Sequence, residues 1–372
     1  MAEHRPTGIL VTGGAGFIGS HLVRRLVRSF PSIPIVNLDR LTYAGDLDRL
    51  EEAREHRNLR NVTGDICDRE LVRSLLDDPA MNTVVHLAAE SHVDRSISGP
   101  GEFIRTNVTG TFTLLDVCRE LWLQGPVPRE DVRFHHISTD EVYGSLTATA
   151  PPFQEGSPYA PNSPYSASKA ASDHLVRAYH VTYGLPVVTS NASNNYGPHQ
   201  HGEKFIPTVI RSCLAGSPIP LYGDGSNVRD WLFVEDHCEA LETVLLRGDN
   251  GERYLVGGEE EWSNLEVVRL ICGIMDELRP APEPHVHLLT FVADRPGHDW
   301  RYALDPTLIR TRLGWSPRST FPEGLRRTIQ WALGREPVDS RSCLPVGSTL
   351  ATLESILRDE GPDPTHGPRL RV

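Results

Sequence analysis

Lysine is almost missing from this sequence. Of its 37 basic residues only two are lysines, Lys169 and Lys204, and the rest are arginines. Arginine cannot replace lysine where a compact ammonium with a readily shifted pKa is required. Either codon bias left two lysines by chance, or these two positions need an ammonium. Both lysines are therefore candidate functional residues.

The sequence also lacks paired cysteines and long apolar runs. Its cysteines form no CxxC or CxxH spacing; the six are Cys67, Cys118, Cys213, Cys238, Cys272 and Cys343. Scattered cysteines are typical of reduced thiols in the cytosol. The N-terminus has no apolar run typical of a signal peptide, and no stretch reaches 18 apolar residues. We therefore expect a cytoplasmic protein without a membrane span.

Positive charge is scarce as well. The chain carries 37 basic and 49 acidic residues, a formal net charge of -12. This balance argues against non-specific binding to nucleic acid or anionic membranes. The 39% hydrophobic and 23% charged content is that of a globular protein, and 372 residues suffice for one large domain or two lobes. An anionic small ligand would need its charge neutralised locally.

Short apolar runs alternate with helical patterns along the first half of the chain. The predicted strands are Gly8–Thr12, Ile33–Leu38, Leu59–Thr63, Thr83–Leu87, Val132–Ser138 and Val187–Ala192. The predicted helices are Phe17–Ser29, Arg69–Leu76, Glu102–Leu123 and Tyr165–Tyr183. This alternation predicts an α/β fold, a Rossmann-like doubly wound parallel sheet, with ligands at the carboxyl ends of its strands.

The pattern changes after about residue 194, where Gly, Pro and short mixed elements dominate. We expect a Rossmann domain over 1–193 and a smaller, mainly substrate-binding lobe over 194–336, with interleaved elements. Residues 337–372 are richer in Pro, Gly, Ser and charge and are expected to be a loosely attached, divergent tail.

The stretch "VTGGAGFIGSHL" predicts a phosphate-binding loop. Gly13, Gly16 and Gly19 follow a strand and open a helix, where glycine lets the backbone approach a pyrophosphate. Asp39 lies 20 residues after Gly19, as expected for an acid that bonds a ribose 2′-hydroxyl. This favours NAD over NADP, although Arg40 could accept a 2′-phosphate. The alternative is an ordinary Gly-rich turn.

A reactive centre is indicated by "YSASK" and "ISTDEVYG". Tyr165 and Lys169 share a helix face, so the ammonium should lower the Tyr165 pKa towards working pH. A phenolate at Tyr165 could then remove the proton from a substrate hydroxyl, and Thr139 would hydrogen-bond the same hydroxyl oxygen. The adjacent carboxylates Asp140 and Glu141 follow a strand that looks buried. They are either solvated residues at a strand end or groups placed for proton transfer.

These motifs carry a resemblance to a known family. TGxxGFxG with a downstream YxxxK resembles the extended short-chain dehydrogenase/reductase superfamily. Within it, the chain resembles the dTDP-glucose 4,6-dehydratases through "LAAESHVDRSI", "TNVTGTFTLLD", "STDEVYG", "YSASKAASDHLVRAY", "SNNYGPHQ", "EKFIP", "YGDGSNVRDWLFVEDH" and "DRPGHDWRY". The resemblance extends over most of the chain before the tail.

The resemblance implies a three-step reaction. Hydride leaves C4 of the sugar for NAD while Tyr165 takes the hydroxyl proton. Glu141 then removes the C5 proton while Asp140 protonates the departing C6 hydroxyl, and hydride returns to C6. Two nearby carboxyls with separated pKa values can serve as such an acid and base. The alternatives are a nucleotide-sugar 4-epimerase and a catalytically silent NAD-sensing protein.

The resemblance also assigns binding residues. Those implied to bind NAD are Gly13, Gly16, Phe17, Ile18, Gly19, Asp39, Arg40, Thr42, Asp65, Ile66, Leu87, Ala89, Ser91, Thr106, Tyr165, Lys169 and Asn195. Those implied to bind dTDP-glucose are Ser91, Thr139, Asn194, Lys204, Phe205, Pro220, Tyr222, Arg229, Asn264, Asp294 and His298. The choice between thymidine and uridine stays open.

Two further expectations concern assembly and metals. The resemblance implies a homodimer formed through the helices near Glu102–Leu123 and Tyr165–Tyr183. His199 and His201 have no third ligand at a sensible spacing, so no metal site is expected.

Overall fold

The computed structural model describes residues 3–125, 128–294 and 297–334. Its strands are β1 (Ile9–Thr12), β2 (Ile35–Asp39), β3 (Leu59–Thr63), β4 (Thr83–His86), β5 (Arg133–Thr139), β6 (Val187–Ala192), β7 (Asn194–Tyr196), β8 (Ile219–Tyr222), β9 (Val228–Phe233), β10 (Arg253–Val256), β11 (Glu261–Ser263) and β12 (Leu289–Val292). The predicted tail, 337–372, lies outside the described residues.

The α-helices lie between and after these strands. They are α1 (Phe17–Ser29), α2 (Arg69–Leu76), α3 (Val93–Ser98), α4 (Pro100–Phe103), α5 (Thr111–Cys118), α6 (Pro164–Tyr183), α7 (Phe205–Ala215), α8 (Val234–Arg247), α9 (Asn264–Leu278), α10 (Thr307–Leu313) and α11 (Phe321–Gly334). Short 3₁₀ turns occupy Leu47–Ala53, Asp140–Tyr143 and His285–Leu288. No helix in the described part of the chain combines the length and apolarity needed to cross a bilayer.

Seven parallel strands form the central sheet, in the order β10-β6-β5-β4-β1-β2-β3. The order runs outward in one direction from β1 to β3 and in the other from β4. The predicted doubly wound parallel sheet is therefore confirmed, and its switch point lies between β1 and β4. Ligands of such sheets bind at the carboxyl edge next to this point.

Helices cover both faces of the sheet. In β1, Ile9 and Val11 pack with α1 and α8, whereas Leu10 faces the opposite layer of α2, α5 and α6. Side chains alternate along a strand, so a strand that is buried on both faces needs an uninterrupted apolar sequence. Each fully buried Ile, Leu or Val contributes about 1.5–3 kcal/mol of transfer free energy.

The predicted helix Glu102–Leu123 is found, but it is not a uniform α-helix. Between α4 and α5 the chain forms a π-helical segment, Ile104–Gly110, and a second π segment, Arg119–Leu123, follows α5. The predicted strand at Ile33–Leu38 begins at Ile35, directly after Pro34, which has no N–H for a sheet hydrogen bond. The other predicted strand boundaries agree with the structure to within one residue.

A second core lies beyond the sheet. It is built by α7, α9 and α11 together with side chains from β7, β8 and β9, including Trp231 and Phe321. The strands there form two small sheets, β11-β9-β7 and β12-β8. The chain also returns to the central sheet, because β10 pairs with β6 and α8 packs on α1. The proposed division at residue 193 stays a prediction.

Candidate active site

A cleft of about 330 Å³ lies at the carboxyl edge of the central sheet. Every residue predicted to bind the cofactor or to catalyse lines it. These are Gly13, Gly16, Phe17, Ile18, Gly19, Asp39, Arg40, Thr42, Asp65, Ile66, Leu87, Ala89, Ser91, Thr106, Thr139, Asp140, Glu141, Tyr165, Lys169 and Asn195.

The glycine loop makes one end of the cleft. Gly13 has φ +76°, and a Cβ on Gly19 would lie 2.1 Å from the Gly13 carbonyl oxygen, so both positions require glycine. Helix α1 begins directly afterwards, with Gly16 as its N-cap and no acidic residue in its first turn. Its first N–H groups have no capping side chain, which suits a phosphate ligand.

Asp39 stands at the end of β2, beside this loop. Its carboxylate accepts hydrogen bonds from the backbone N–H groups of Ala15 (2.9 Å) and Leu41 (2.8 Å). The neighbouring Arg40 lies 3.6 Å from Asp65 and 3.5 Å from Glu102. Because Arg40 is occupied by acids and Asp39 faces the loop, a ribose hydroxyl fits here better than a 2′-phosphate.

The next wall comes from the loop after β3 and the first π segment. Asp65 forms an ion pair with Arg105 at 2.7 Å. Burial would raise the pKa of Asp65, but hydrogen bonds from the Cys67 backbone and Arg105 lower it. The hydroxyl of Thr106 is buried in the cleft wall and has no hydrogen-bond partner among the described residues. An unpartnered buried hydroxyl in the wall fits a site that holds a polar ligand.

The paired acids lie at the end of β5, in a single 3₁₀ turn. Thr139 caps this turn by accepting from the Glu141 N–H at 3.3 Å, and its hydroxyl donates to Asp140 Oδ1 at 3.0 Å. Gly144 ends the turn with φ +84°. The turn thus fixes both carboxyls against the cleft.

The two acids have different surroundings. Asp140 is 1% exposed, and its Oδ2 has no hydrogen-bond partner among the described residues. Burial and the charge of Glu141 raise the pKa of Asp140 well above the ordinary range of a carboxyl. Glu141 is half-buried. The raised pKa favours the protonated form of Asp140, which can donate its proton to a ligand.

Helix α6 supplies Tyr165 and Lys169. Its start is fixed by Pro164 and by a reciprocal capping box between Ser163 and Ser166. The Lys169 Nζ donates to the Ile137 carbonyl at 2.7 Å, and burial lowers the pKa of Lys169 to about 8.

The expected lowering of the Tyr165 pKa by Lys169 is not found. Burial and the charges of Glu141 and Asp140 raise the pKa of Tyr165, and a hydrogen bond with Thr139 opposes them. The physical reason is that the buried phenol faces two carboxyls, whereas the Lys169 ammonium is directed at a backbone carbonyl of β5.

The predicted substrate residues fall into two groups. Ser91, Thr139, Asn194 and Lys204 line the cleft, and the Lys204 Nζ donates to the Ser91 carbonyl at 3.0 Å. The others lie outside the cleft lining, in the part of the chain built around the second core; they are Phe205, Pro220, Tyr222, Arg229, Asn264, Asp294 and His298.

Within the second group, two clusters are visible. The Tyr222 ring is 41% exposed and lies 6.2 Å from the His298 ring, and His298 Nδ1 lies 2.6 Å from Asp294. Arg229 is buried, donates to the carbonyl oxygens of Val228 and Asp299, and lies 4.5 Å above the Tyr302 ring.

Arg229 joins the second group to the acid pair. Its positive charge opposes the effect of burial on the Asp140 pKa. The remaining members are spread along β8 and the first residues of two helices: Pro220 lies in β8, Phe205 begins α7 and stacks 6.5 Å from Trp231, and Asn264 begins α9.

Several lining residues were not predicted from the sequence. They are polar or aromatic side chains that follow strand ends: Tyr43, Glu90, Ser193, Gln200, His201 and Glu203 in loops, and His237 near the start of α8. Their position after carboxyl strand ends was the available signal.

Four side chains form a contact cluster beside the cleft, which we call the clasp: Tyr43, Arg95, His201 and Glu203, of which all but Arg95 line the cleft. The Arg95 guanidinium lies 3.6 Å above the Tyr43 ring and 3.1 Å from Glu203. His201 meets the same ring edge-on at 5.5 Å. The clasp joins helix α3, which carries Arg95, to the loops that follow β2 and β7.

His199 and His201 do not share a site. The His199 ring packs 4.7 Å from Trp331 and bonds Arg24, whereas His201 belongs to the clasp. Among the described residues, no group of three potential metal ligands occurs.

Comparison with known proteins gives one consistent family. The profile of the GDP-mannose 4,6 dehydratase family matches residues 10–328. A curated dTDP-glucose 4,6-dehydratase from Neisseria gonorrhoeae is 54% identical over 338 residues, which are 90% of this chain and 97% of the relative. Another from Xanthomonas campestris is 55% identical over 327 residues, 87% of this chain and 92% of the relative.

Solved structures agree. A dTDP-glucose 4,6-dehydratase from Streptomyces venezuelae, solved with NAD and TYD bound, superimposes with a TM-score of 0.80 at 45% identity, covering 88% of this chain and 97% of that one. The enzyme from Bacillus anthracis, in complex with NAD, gives 0.78 at 41% identity, with 88% and 97% covered. A UDP-glucose 4-epimerase from Thermotoga maritima gives 0.76 at 27% identity, with 87% and 98% covered.

Proposed function

The chain belongs to the dTDP-glucose 4,6-dehydratase family, and we propose that Tyr165, Glu141 and Asp140 transfer the protons of this reaction in its cleft. The substrate is dTDP-glucose and the product is dTDP-4-keto-6-deoxyglucose. One observation carries the assignment: two adjacent carboxyls in unlike surroundings stand beside Tyr165.

The cofactor is NAD, and the residues of the cleft fit it. The glycine loop and the uncapped start of α1 would hold the pyrophosphate, Asp39 the adenosine ribose, and Asp65 and Ile66 the adenine side. When bound, NAD accepts a hydride from C4 of the sugar and returns it to C6.

Tyr165 acts as the base of the first step. It takes the C4 hydroxyl proton, while Thr139 donates a hydrogen bond at the same oxygen. Because burial and two carboxyls raise the pKa of the free phenol, nearby positive charge must stabilise the phenolate before Tyr165 can accept this proton. Lys169, four residues later on α6, is the buried ammonium that would supply it, in addition to its hydrogen bond to the Ile137 carbonyl.

Glu141 and Asp140 carry the elimination. Once C4 is a ketone, the C5 hydrogen is acidic, and half-buried Glu141 removes it as the base. Buried Asp140, whose raised pKa favours the protonated form, protonates the departing C6 hydroxyl. Water leaves, and C5 is reprotonated as hydride returns to C6.

The substrate diphosphate needs local positive charge in a chain of net charge -12. Lys204 at the cleft and buried Arg229 beside the acid pair are placed to supply it. Asn194, Asn264 and His298 would add polar contacts, and the exposed Tyr222 ring would lie against the base. Ser91 would face the sugar.

We also propose a domain division, a cellular location and an assembly state for this chain. The chain divides at about residue 193 into a cofactor domain and a substrate lobe, and the protein is cytoplasmic. It forms a homodimer through the helices around α5 and α6. The support for the dimer is a set of exposed apolar side chains on α3 to α6: Ile97, Ile104, Phe112, Val181 and Tyr183.

The function is tested by mass spectrometry of the purified protein with dTDP-glucose, with UDP-glucose in parallel and without added reductant. We expect the loss of one water from dTDP-glucose and no net NADH. An unchanged mass with altered chromatographic retention would indicate a 4-epimerase instead. No reaction with either sugar would contradict the proposal.

A further inference from the structure

Asp173 is a buried carboxylate that the reaction does not use directly. It lies on α6, one turn after Lys169, and is 1% exposed. Its Oδ1 accepts from His136 Nε2 at 2.9 Å, and its Oδ2 accepts from the Tyr159 hydroxyl at 2.6 Å and from Asn191 Nδ2 at 3.2 Å. Burying an ionised carboxylate costs several kcal/mol before partners compensate. Three donors on one buried acid therefore call for a reason.

The donors keep Asp173 ionised. Burial alone would raise the pKa of Asp173, but the hydrogen bonds and charges around it, led by the bond from His136, lower that pKa to about 2. Burial lowers the pKa of His136, so this imidazole is neutral at pH 7 and donates from Nε2. Asp173 is consequently a fixed negative charge inside the protein.

That charge faces Lys169. Residues four apart on a helix share a face, and the negative charge of Asp173 opposes the lowering of the Lys169 pKa by burial. The Lys169 Nζ also bonds the Ile137 carbonyl of β5. A buried ammonium with a nearby carboxylate retains its proton at neutral pH more readily than one without.

Asp173 is also tied to the catalytic strand end. Asn191 Nδ2, which bonds Asp173, donates to the Thr139 carbonyl at 3.0 Å as well. His136 belongs to β5, the strand that ends in Thr139. Through these two residues the carboxylate links α6, which carries Tyr165, to β5 and β6.

We propose that Asp173 is a positioning residue: it keeps Lys169 charged and holds the helix that carries Tyr165 against Thr139. This rests on the proposed function for the roles of Tyr165 and Lys169. Asp173 itself touches neither of the reacting groups assigned above. Its effect passes through Lys169, Asn191 and His136.

Other ionisable groups face this cluster. His86 on β4 and His136 on β5 lie near Lys169, and burial lowers the pKa of both imidazoles, so they are neutral at pH 7. Arg253 on β10 adds a positive charge near Asp173 and lies 4.7 Å above the Tyr159 ring. Replacing Asp173 by a neutral residue therefore leaves Lys169 beside neutral imidazoles and a remaining cation.

The near absence of lysine makes the test unusually direct. The chain contains only Lys169 and Lys204, so protein labelled with ¹³C at the lysine Cε gives two lysine signals, and Lys204→Arg assigns them. We expect Asp173→Asn to lower the titration midpoint of the Lys169 signal by at least one pH unit. The matched control is Asp116→Asn, which should leave that midpoint unchanged. It removes a carboxylate on α5 that pairs with Arg69 and Arg119.

An unchanged Lys169 midpoint in Asp173→Asn would overturn the proposal. If that variant does not fold, Asp173→Ser removes the same charge in a smaller side chain, and the same lowering is expected. Asp173→Glu, which retains the charge, should restore a midpoint within half a unit of the wild type.

A kinetic readout follows on the holoenzyme. The rate of the first hydride transfer is followed at 340 nm in a single turnover as a function of pH. On the alkaline side this rate should begin to fall at a lower pH in Asp173→Asn than in the wild type. Superimposable pH profiles would show a structural role alone. If the Lys169 midpoint shifts in Asp173→Asn but the wild-type protein removes no water from dTDP-glucose, the proposed function fails and the effect of Asp173 on Lys169 stands. Water loss with an unshifted midpoint would instead leave the function standing and overturn the role of Asp173.

Discussion

Asp140 and Glu141 are neighbours in sequence whose surroundings the fold makes unlike. The end of β5 buries the first and leaves the second half-buried, so that burial and the charge of Glu141 raise the pKa of Asp140. Two identical solvated carboxylates would titrate together and provide no acid at pH 7. The separation of roles is thus a property of one 3₁₀ turn, Asp140–Tyr143.

Replacing the proposed C5 base should separate the steps. Glu141→Gln should still oxidise C4 but fail to eliminate water, so reduced cofactor accumulates at 340 nm while product formation falls by about 10²–10⁴-fold. The matched control is Glu155→Gln, a half-buried Glu outside the cleft lining, which should turn over normally. Full product formation by Glu141→Gln would remove Glu141 as the base.

The buried acid should also reduce stability at high pH. The pKa of Asp140 is raised in the folded state, so folding favours its protonated form. Wild-type stability therefore falls as pH rises from the unfolded Asp pKa of about 4 towards the raised folded value, and Asp140→Asn escapes this loss. We expect the thermal midpoint of Asp140→Asn to exceed that of wild type at pH 8 by more than it does at pH 5. A difference that does not grow with pH would contradict a buried, protonated Asp140.

At the scale of residues, the sequence identifies the site residues better than it predicts the direction of their pKa shifts. The spacing of Tyr165 and Lys169 and the acid pair after a strand are visible in the sequence, and all four line one cleft. The direction of the Tyr165 pKa is not visible, because it depends on burial and on which way Lys169 points. Both are set by the tertiary packing of α6 on β5.

At the scale of elements, the segments that follow the strands contact one another beside the cleft. The clasp joins two loops to helix α3 through Arg95, which contacts both the Tyr43 ring and Glu203. The local hydrophobic pattern predicts the strands that precede these segments. It does not predict contacts between segments that are far apart in the sequence. Tyr43, Arg95 and Glu203 were accordingly missed.

Opening the clasp should speed the loss of NAD. Arg95→Ala removes a cation–π contact and an ion pair, which together contribute about 1–2 kcal/mol, so NAD should dissociate roughly tenfold faster. The rate is measured by exchange of bound NAD against isotopically labelled NAD. Arg54→Ala removes an exposed arginine paired with Asp48 outside the cleft lining and serves as the control. Equal exchange rates in all three proteins would exclude a retaining role for the clasp.

The π segments show another limit of local pattern. The sequence of 102–123 predicts a plain helix, yet Ile104–Gly110 is π-helical. The Asn107 carbonyl accepts from the hydroxyls of Thr111 (2.5 Å) and Ser172 (2.6 Å), and Ser172 belongs to α6. A contact with a distant helix therefore accompanies the change in winding, and such a contact has no signature in the helix's own sequence.

At the scale of the whole molecule, the central sheet was predictable and the second core was not. The buried parallel strands are short apolar runs separated by helices, a pattern that specifies βαβ units. In contrast, β10 pairs with β6 after an excursion of more than 50 residues through the second core. That pairing depends on the packing of α8 and α10, and the short strands β7 to β12 carry little periodicity of their own.

The proposed homodimer depends on apolar side chains that are exposed on the single chain. A monomer would leave Ile104, Phe112 and Val181 in water at 51%, 44% and 66% exposure, on helices that already pack on one another. An apolar surface of this kind marks an interaction site, and a two-fold dimer buries the same patch on both copies. The wild type should therefore elute as a dimer in size-exclusion chromatography with light scattering. Phe112→Asp should give a monomer, because the partner would have to bury a carboxylate.

The control must expose an equivalent aromatic ring elsewhere. Phe291 on β12 is 56% exposed and lies outside the helices α3 to α6. Phe291→Asp should keep the dimer, since Phe291 lies on β12, which pairs with β8 and not with the helices α3 to α6. If Phe112→Asp remains dimeric while Phe291→Asp dissociates, the interface lies on the second core and the helix pair is an exposed face. If the wild type is itself monomeric at micromolar concentration, the homodimer proposal is wrong.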